Sequence, residues 1–206
     1  KEIAAALVED KKVGICSAFP VLGTVPAELT QVENLYGVES DGTKAEKQNL
    51  LPLGFSITYR KNRPFPHTLH LVPKTVVLGI GCKRGTEAES IRALIRETLE
   101  QNQIFKESIC LIASIDLKKD EEGIRICAEE LGVPFVTWSA EELEQVRSED
   151  GFTESAFVRS VAGVGNVCER SALKGAGTSQ LLIRKTAHNG VTVAAAVKDY
   201  TVCMED

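Results

Sequence analysis

A short β-branched run, Val76-Val77-Leu78-Gly79-Ile80, passes through Gly81-Cys82-Lys83-Arg84-Gly85-Thr86 into a segment where Ile91, Leu94, Ile95 and Leu99 recur at helical spacing. A buried strand therefore feeds a helix, over about 86–102, through a glycine-rich turn. Thr86 followed by Glu89 has the spacing of a capping box, which would fix where that helix starts. The alternation then repeats. Residues 108–114 read as a second buried strand, 121–131 as a helix ended by Gly132, and 133–138 as a third strand. Ser139 with Glu142 opens a further helix to about Arg147. Parallel neighbours require crossovers of this length, and such crossovers are right-handed. The pattern predicts an α/β domain with a mostly parallel sheet and helices on both faces. The stretch 156–161, the glycine-rich 162–167 and a helix over 168–174, stopped by Gly175-Ala176-Gly177, come next. Segments 181–186 and 191–197 flank Asn189-Gly190, the favoured two-residue hairpin turn, so an antiparallel carboxy-terminal hairpin is expected at the sheet edge.

Before this region the signals are weaker. Residues 1–9 read as the end of a helix and the chain lacks an initiator Met, so a longer protein is expected to begin upstream. Residues 13–17 read as a strand and 25–32 as a helix or loop; 37–48 are polar; 55–59 and 68–72 alternate like strands. Asn62-Arg63-Pro64-Phe65-Pro66 between them cannot be a central strand, because proline removes ladder donors. The expected organisation is a smaller, partial α/β region over 1–72 and a carboxy-terminal α/β domain over 73–206.

Several functional classes are excluded at this level. No apolar run approaches membrane-spanning length and no signal segment opens the chain, which leaves a cytoplasmic protein as the default. The six cysteines show no C-x-x-C pair and no His at ligand spacing, so buried thiols are expected in place of a zinc site or disulfides. A net charge of −5 and the lack of a basic stripe with aromatics argue against nucleic acid. Within that acidic total, however, Arg60, Lys61, Arg63, Lys74, Lys83, Arg84 and Arg92 lie close in sequence against Glu87 and Glu89. A local cationic patch on an acidic protein suits an anionic small molecule.

Three loops leave the expected strand ends or open a helix, and would line one rim of the sheet. In 81–86, backbone amides and a helix start favour an anion, with Lys83 and Arg84 of the right sign. It is not a dinucleotide fingerprint, since Arg84 stands where the third glycine would be. Cys82 at a helix entrance invites a lowered thiol pKa, but His67, His70 and His188 all fall outside the expected strand ends of this rim. In 114–121, Asp116, Lys118 and Glu121 offer both charge signs, for proton transfer or an oxyanion, or as solvated cap charges. In 163–171, Glu169 stands at a helix start after a glycine turn, where it either compensates the helix dipole or holds a rigid general base.

Gly79-Ile80-Gly81-Cys82-Lys83-Arg84-Gly85-Thr86, then Ala113-Ser114-Ile115-Asp116-Leu117-Lys118 with Glu121, then Gly163-Val164-Gly165-Asn166-Val167-Cys168-Glu169 through Leu173, and Thr192-Val193-Ala194 together resemble the carboxy-terminal part of the cobalt-precorrin-5A hydrolase family of anaerobic cobalamin biosynthesis. The motifs keep the family's order and spacing from Leu71 to Val197, and the residues before them resemble its middle region. Cys168 stands where the family usually has alanine and Arg170 where it has proline; the family's amino-terminal glycine- and histidine-bearing motif has no counterpart before Val13.

The resemblance implies a reaction that opens a δ-lactone on a cobalt-bound, ring-contracted macrocycle and expels acetaldehyde. Such chemistry asks for a base, oxyanion donors and cations for the peripheral carboxylates. The expected catalytic residues are Glu169 or Asp116 as base, with Lys118 and the amides of 81–86 as donors. Gly81, Cys82, Lys83, Arg84, Gly85, Thr86, Ser114, Glu121, Gly163, Gly165 and Ser171 are the expected substrate-binding residues. The cobalt arrives inside an anionic corrinoid substrate, so no protein-bound metal or other cofactor is expected; a homodimer is left open. The alternative is a non-catalytic corrinoid-binding or carrier module, indifferent to loss of Glu169 or Asp116. A generic ester hydrolase is disfavoured by the lack of a Gly-x-Ser-x-Gly elbow.

Overall fold

The computed structural model describes residues 2–32 and 51–204. They form two compact units: the chain leaves the first after Pro73, forms the second over 74–199, and returns to the first at Tyr200. The polar stretch 37–48 lies outside the described residues.

The first unit contains helix α1 (Glu2–Val8) and strands β1 (Val13–Ser17), β2 (Val21–Leu22), β3 (Leu29–Gln31), β4 (Leu53–Ile57) and β5 (His67–Leu71). β1, with Val13, Ile15 and Cys16 buried, pairs in parallel with β3 and β4, and β5 extends the sheet to the order β3-β1-β4-β5. Residues 25–32 thus hold a strand where a helix or loop was expected. Three residues are too few to show alternation, and the ladder to β1 decides the matter. Gly14 and Gly54 make room for the buried ring of Phe65: a Cβ at either would come within 2.2 and 2.4 Å of ring carbons.

The second unit is the expected α/β sandwich. Strands β6 (Val76–Cys82), β7 (Ile109–Ile115) and β8 (Phe135–Trp138) are parallel, linked through α2 (Ala88–Gln101) and α3 (Glu122–Leu131). Helices α4 (Ala140–Glu144), α5 (Ala156–Ala162) and α6 (Cys168–Ala176) follow, then the hairpin β9 (Leu181–His188) and β10 (Val191–Val197). The order is β8-β7-β6-β10-β9, with β10 antiparallel to both neighbours. Positive φ at Asn189 (49°) and Gly190 (80°) gives the turn the twist a two-residue hairpin requires. A last strand, β11 (Val202–Cys203), pairs in parallel with β2 in the first unit.

Gly79 serves packing. Side chains alternate along β6, and a Cβ on Gly79 would lie 1.8 Å from the Cys168 carbonyl oxygen. The glycine lets α6 settle on β6, where Cys168, Ala172 and Leu173 bury against Ala194 and Ala196 of β10. Gly175, expected to stop α6, lies within it, because a Cβ there would crowd Val77, Leu111 and Trp138; Gly177 (φ 71°) ends the helix. The Ser139–Glu142 capping box forms as expected, whereas the one at Thr86–Glu89 does not. Thr86 Oγ1 instead donates to the Lys83 carbonyl at 2.7 Å, and Glu89 pairs with Arg92. Two nearer partners take both halves of the motif, and α2 starts after Glu87.

Candidate functional site: a cationic cleft at the rim of the second sheet

The parallel strands β6 and β7 end on one rim, and β10, running the other way, begins there. The hairpin turn is therefore carried to the same rim. Cys82, Val191 and His188 are in register across β6, β10 and β9, and the Lys83 amide donates to the Gly190 carbonyl at 3.2 Å. His188 accordingly lies at this rim, where the sequence had suggested no histidine.

A cleft of about 750 Å³ opens here, within the usual range for small-molecule sites. Gly81 and Thr192 line it from the strand ends, Asn166, Val167 and Cys168 from the start of α6, and Lys83, Arg84, Lys118 and Lys185 supply cationic side chains. Among the described residues, no Asp or Glu lines it. The other wall is apolar: Leu117, Phe157 and Val161 line the cleft while remaining 56%, 75% and 65% exposed.

The anion expected in the 81–86 nest is present, and it belongs to the protein. Glu121, 8% exposed, accepts from the Gly85 amide and from Lys118 Nζ at 2.9 Å. Burial pushes its carboxyl up, but the Lys118 ammonium and the amides of Gly85 and Thr86 outweigh that and hold it below the usual carboxylate range. The amides of Lys83, Gly85 and Thr86 thus have protein partners, and Gly85 and Thr86 do not line the cleft. Gly85 (φ 71°) serves the turn that presents its amide to Glu121. Burial also pushes the Cys82 thiol up, with Lys118 pulling against it and Glu121 adding to it, so the lowered pKa expected of a helix entrance is reversed.

Glu169 faces inward. It is fully buried, and its oxygens accept from the Lys185 amide (2.8 Å), the Thr153 amide (2.9 Å), Asn166 Nδ2 (2.6 Å) and Thr153 Oγ1 (3.3 Å). Asn166 Oδ1 in turn accepts from the Glu169 amide at 2.9 Å, capping α6. One carboxylate thereby joins the 153 loop, the start of α6 and β9. Next to it, buried Arg170 donates to the carbonyls of Leu143 and Glu144, pairs with Glu154 at 2.8 Å and lies over the Phe152 ring at 4.0 Å.

The remaining expected site residues are dispersed. Asp116 is exposed at the end of β7, accepts from Thr137 Oγ1 at 2.6 Å, and does not line the cleft. Ser114 and Ser171 are buried, donating to the carbonyls of Ile80 (2.7 Å) and Val167 (2.8 Å) respectively. Gly163 (φ 79°) ends α5, and Gly165 packs against Glu154. The structure thus gathers Gly81, Cys82, Lys83, Arg84 and Lys118 at the cleft and adds Lys185, His188, Phe157 and Leu117. Counting strand direction through the Asn-Gly turn is the sequence signal that would have brought Lys185 and His188 there.

Residues 76–196, more than half of the chain, match the family described as Cobalamin synthesis G C-terminus. The chain is 34% identical over 128 residues to the cobalt-precorrin-5A hydrolase of Priestia megaterium, covering 62% of this chain and 33% of that one. It is 38% identical over 134 residues to the hydrolase of Salmonella typhimurium, covering 65% and 37%. It thus spans about a third of the length of these relatives. The solved structure of CobE, a protein from the cobalamin (vitamin B12) biosynthetic pathway, superposes with a TM-score of 0.55 at 31% identity, over 62% of this chain and 93% of that one. The matched residues run from the first strand of the second unit's sheet to its last hairpin and enclose the whole cleft: the chain belongs to the Cobalamin synthesis G C-terminus family.

Proposed function

We propose that this chain is the macrocycle-holding part of a cobalt-precorrin-5A hydrolase, which opens the lactone of the cobalt corrinoid and releases acetaldehyde to leave cobalt-precorrin-5B. The supporting observation is the cleft's composition: four cationic side chains, Lys118 among them paired with Glu121, no acid among the described lining residues, and an apolar wall. A corrinoid presents the complement, a broad apolar ring with carboxylates at its edge. Lys83 and Arg84 bind those carboxylates. Lys118, whose ammonium also pairs with Glu121, and Lys185 supply the charge that stabilises the oxyanion formed when water adds to the lactone carbonyl. Among the lining residues the His188 imidazole is the side chain chemically suited to take the proton from that water. Glu169 acts as a positioning residue, since its oxygens are already occupied. The cobalt enters and leaves with the substrate.

A second reading, a corrinoid-binding module without catalysis, is favoured by the lack of a carboxylate base in the cleft. Incubating the chain with cobalt-precorrin-5A, measuring acetaldehyde and titrating binding by the corrinoid's absorbance, separates the two. Acetaldehyde release that is lost in His188→Ala and weakened in Lys118→Ala supports hydrolysis. Binding without release supports the carrier, and absence of binding overturns both.

A further inference from the structure

α5 is a helix with no buried residue, and its apolar side chains divide into two rows. Val158 and Ala162, which also line the cleft, are half-buried and pack against the cluster of Ile115, Leu143, Val164 and Val167. Phe157 and Val161, one step round the helix and four residues apart, face the cleft and stay largely exposed. The helix is nonetheless firmly held. Ser155 caps it by accepting from the Val158 amide, the Ser155 amide donates to the Gly165 carbonyl at 2.8 Å, and Arg159 bridges Glu144 and Glu154 at 3.3 and 3.0 Å. A fixed helix that leaves a Phe and a Val in water beside four cations keeps apolar surface that its own core does not use.

We infer that Phe157 and Val161, with Leu117, form a shelf that receives the apolar face of a tetrapyrrole ring and makes the cleft select a macrocycle over an acyclic polycarboxylate. The inference rests on the corrinoid reading of the cleft and adds which residues discriminate. Charge complementarity picks the occupant: the cations alone would accept any small polyacid, whereas cations opposite a rigid apolar shelf fit an anion that is also wide and apolar. The aromatic ring offers a face for stacking on the conjugated macrocycle.

The test uses the chain with the double substitution Phe157→Ser and Val161→Ser. Affinity is measured for dicyanocobyrinic acid, a corrinoid polycarboxylate, and for butanetetracarboxylate, an acyclic one. Both side chains are exposed, so the melting temperature serves as the folding control. The expected result is corrinoid binding weakened about tenfold or more, with butanetetracarboxylate binding and melting temperature unchanged. Corrinoid binding by the unmodified chain that survives the substitution intact overturns the shelf while leaving the corrinoid reading standing. Failure of the unmodified chain to bind the corrinoid overturns that reading and the shelf with it. If the unmodified chain is a dimer that the substitution converts to monomer, with corrinoid affinity unchanged, the occupant is a second copy and the shelf is overturned.

Discussion

Glu169→Gln separates a structural carboxylate from a catalytic one. The native oxygens take four hydrogen bonds, from the amides of Lys185 and Thr153, Asn166 Nδ2 and Thr153 Oγ1, and a carboxylate is acceptor-only. Glutamine has one oxygen and one NH2. In its best orientation the oxygen keeps the Thr153 amide and Asn166, and the NH2 is turned towards the Lys185 amide, where donor meets donor. The Thr153 hydroxyl can rotate to accept; the amide cannot. Leaving that buried N–H without an acceptor costs about 1–3 kcal/mol, and losing the charge-assisted part of the retained bonds roughly 1–2 kcal/mol more. The expected loss of about 2–5 kcal/mol lowers the melting temperature of the second unit by about 8–20 °C. Trp138, the chain's single tryptophan, lies in that unit and reports its unfolding in a thermal or urea titration. A variant that melts within about a degree of the parent while acetaldehyde release collapses would refute the reasoning and restore Glu169 as the base.

Two further outcomes follow from the packing and charge of the rim. Glu121→Gln should destabilise the chain at neutral pH. Because the native carboxyl titrates below its unfolded value near 4.3, its contribution is complete above that value and lost as pH falls through the native pKa. Parent and variant stabilities should therefore converge in acid, and a gap that widens below pH 4 contradicts the arrangement. Gly79→Ala should cost several kcal/mol, since its Cβ would meet the Cys168 carbonyl at 1.8 Å. Gly81→Ala should cost far less, because the atom at 2.7 Å is the Thr192 hydroxyl, the movable end of a side chain. Equal melting temperatures for the two variants would count against the seating of α6.

The sequence displayed the second unit more fully than its cleft. Val76–Ile80 and the helical recurrence of Ile91, Leu94, Ile95 and Leu99 are local signals, as is Asn189-Gly190, and each corresponds to an element. Short pieces without periodicity, such as Leu29–Gln31, were not readable, because their pairing partner decides their state. The cleft depends on distant contacts. Nothing near Gly85 announces that its amide is taken by a carboxylate 36 residues on. Glu169 read as an acid at a helix start, compensating the dipole or held as a base, and nothing near it in sequence shows that β9 closes over it through the Lys185 amide. Phe157 read as one more apolar residue, and only its exposure beside the cations distinguishes it.

The pairing of β6 with β10 has a consequence for how this sheet can be used. Val76 lies opposite Val197, and the Lys198 amide donates to the Thr75 carbonyl at 2.9 Å, so the two ends of residues 74–199 meet. A unit whose ends are hydrogen-bonded neighbours behaves as a cassette: splicing it into a host chain asks nothing of its strand pairing, because the host's severed ends are handed over a few ångströms apart. The same geometry tolerates standing alone. New termini opened in the 148–151 segment, with 74 and 199 joined by a short linker, should leave the cleft intact.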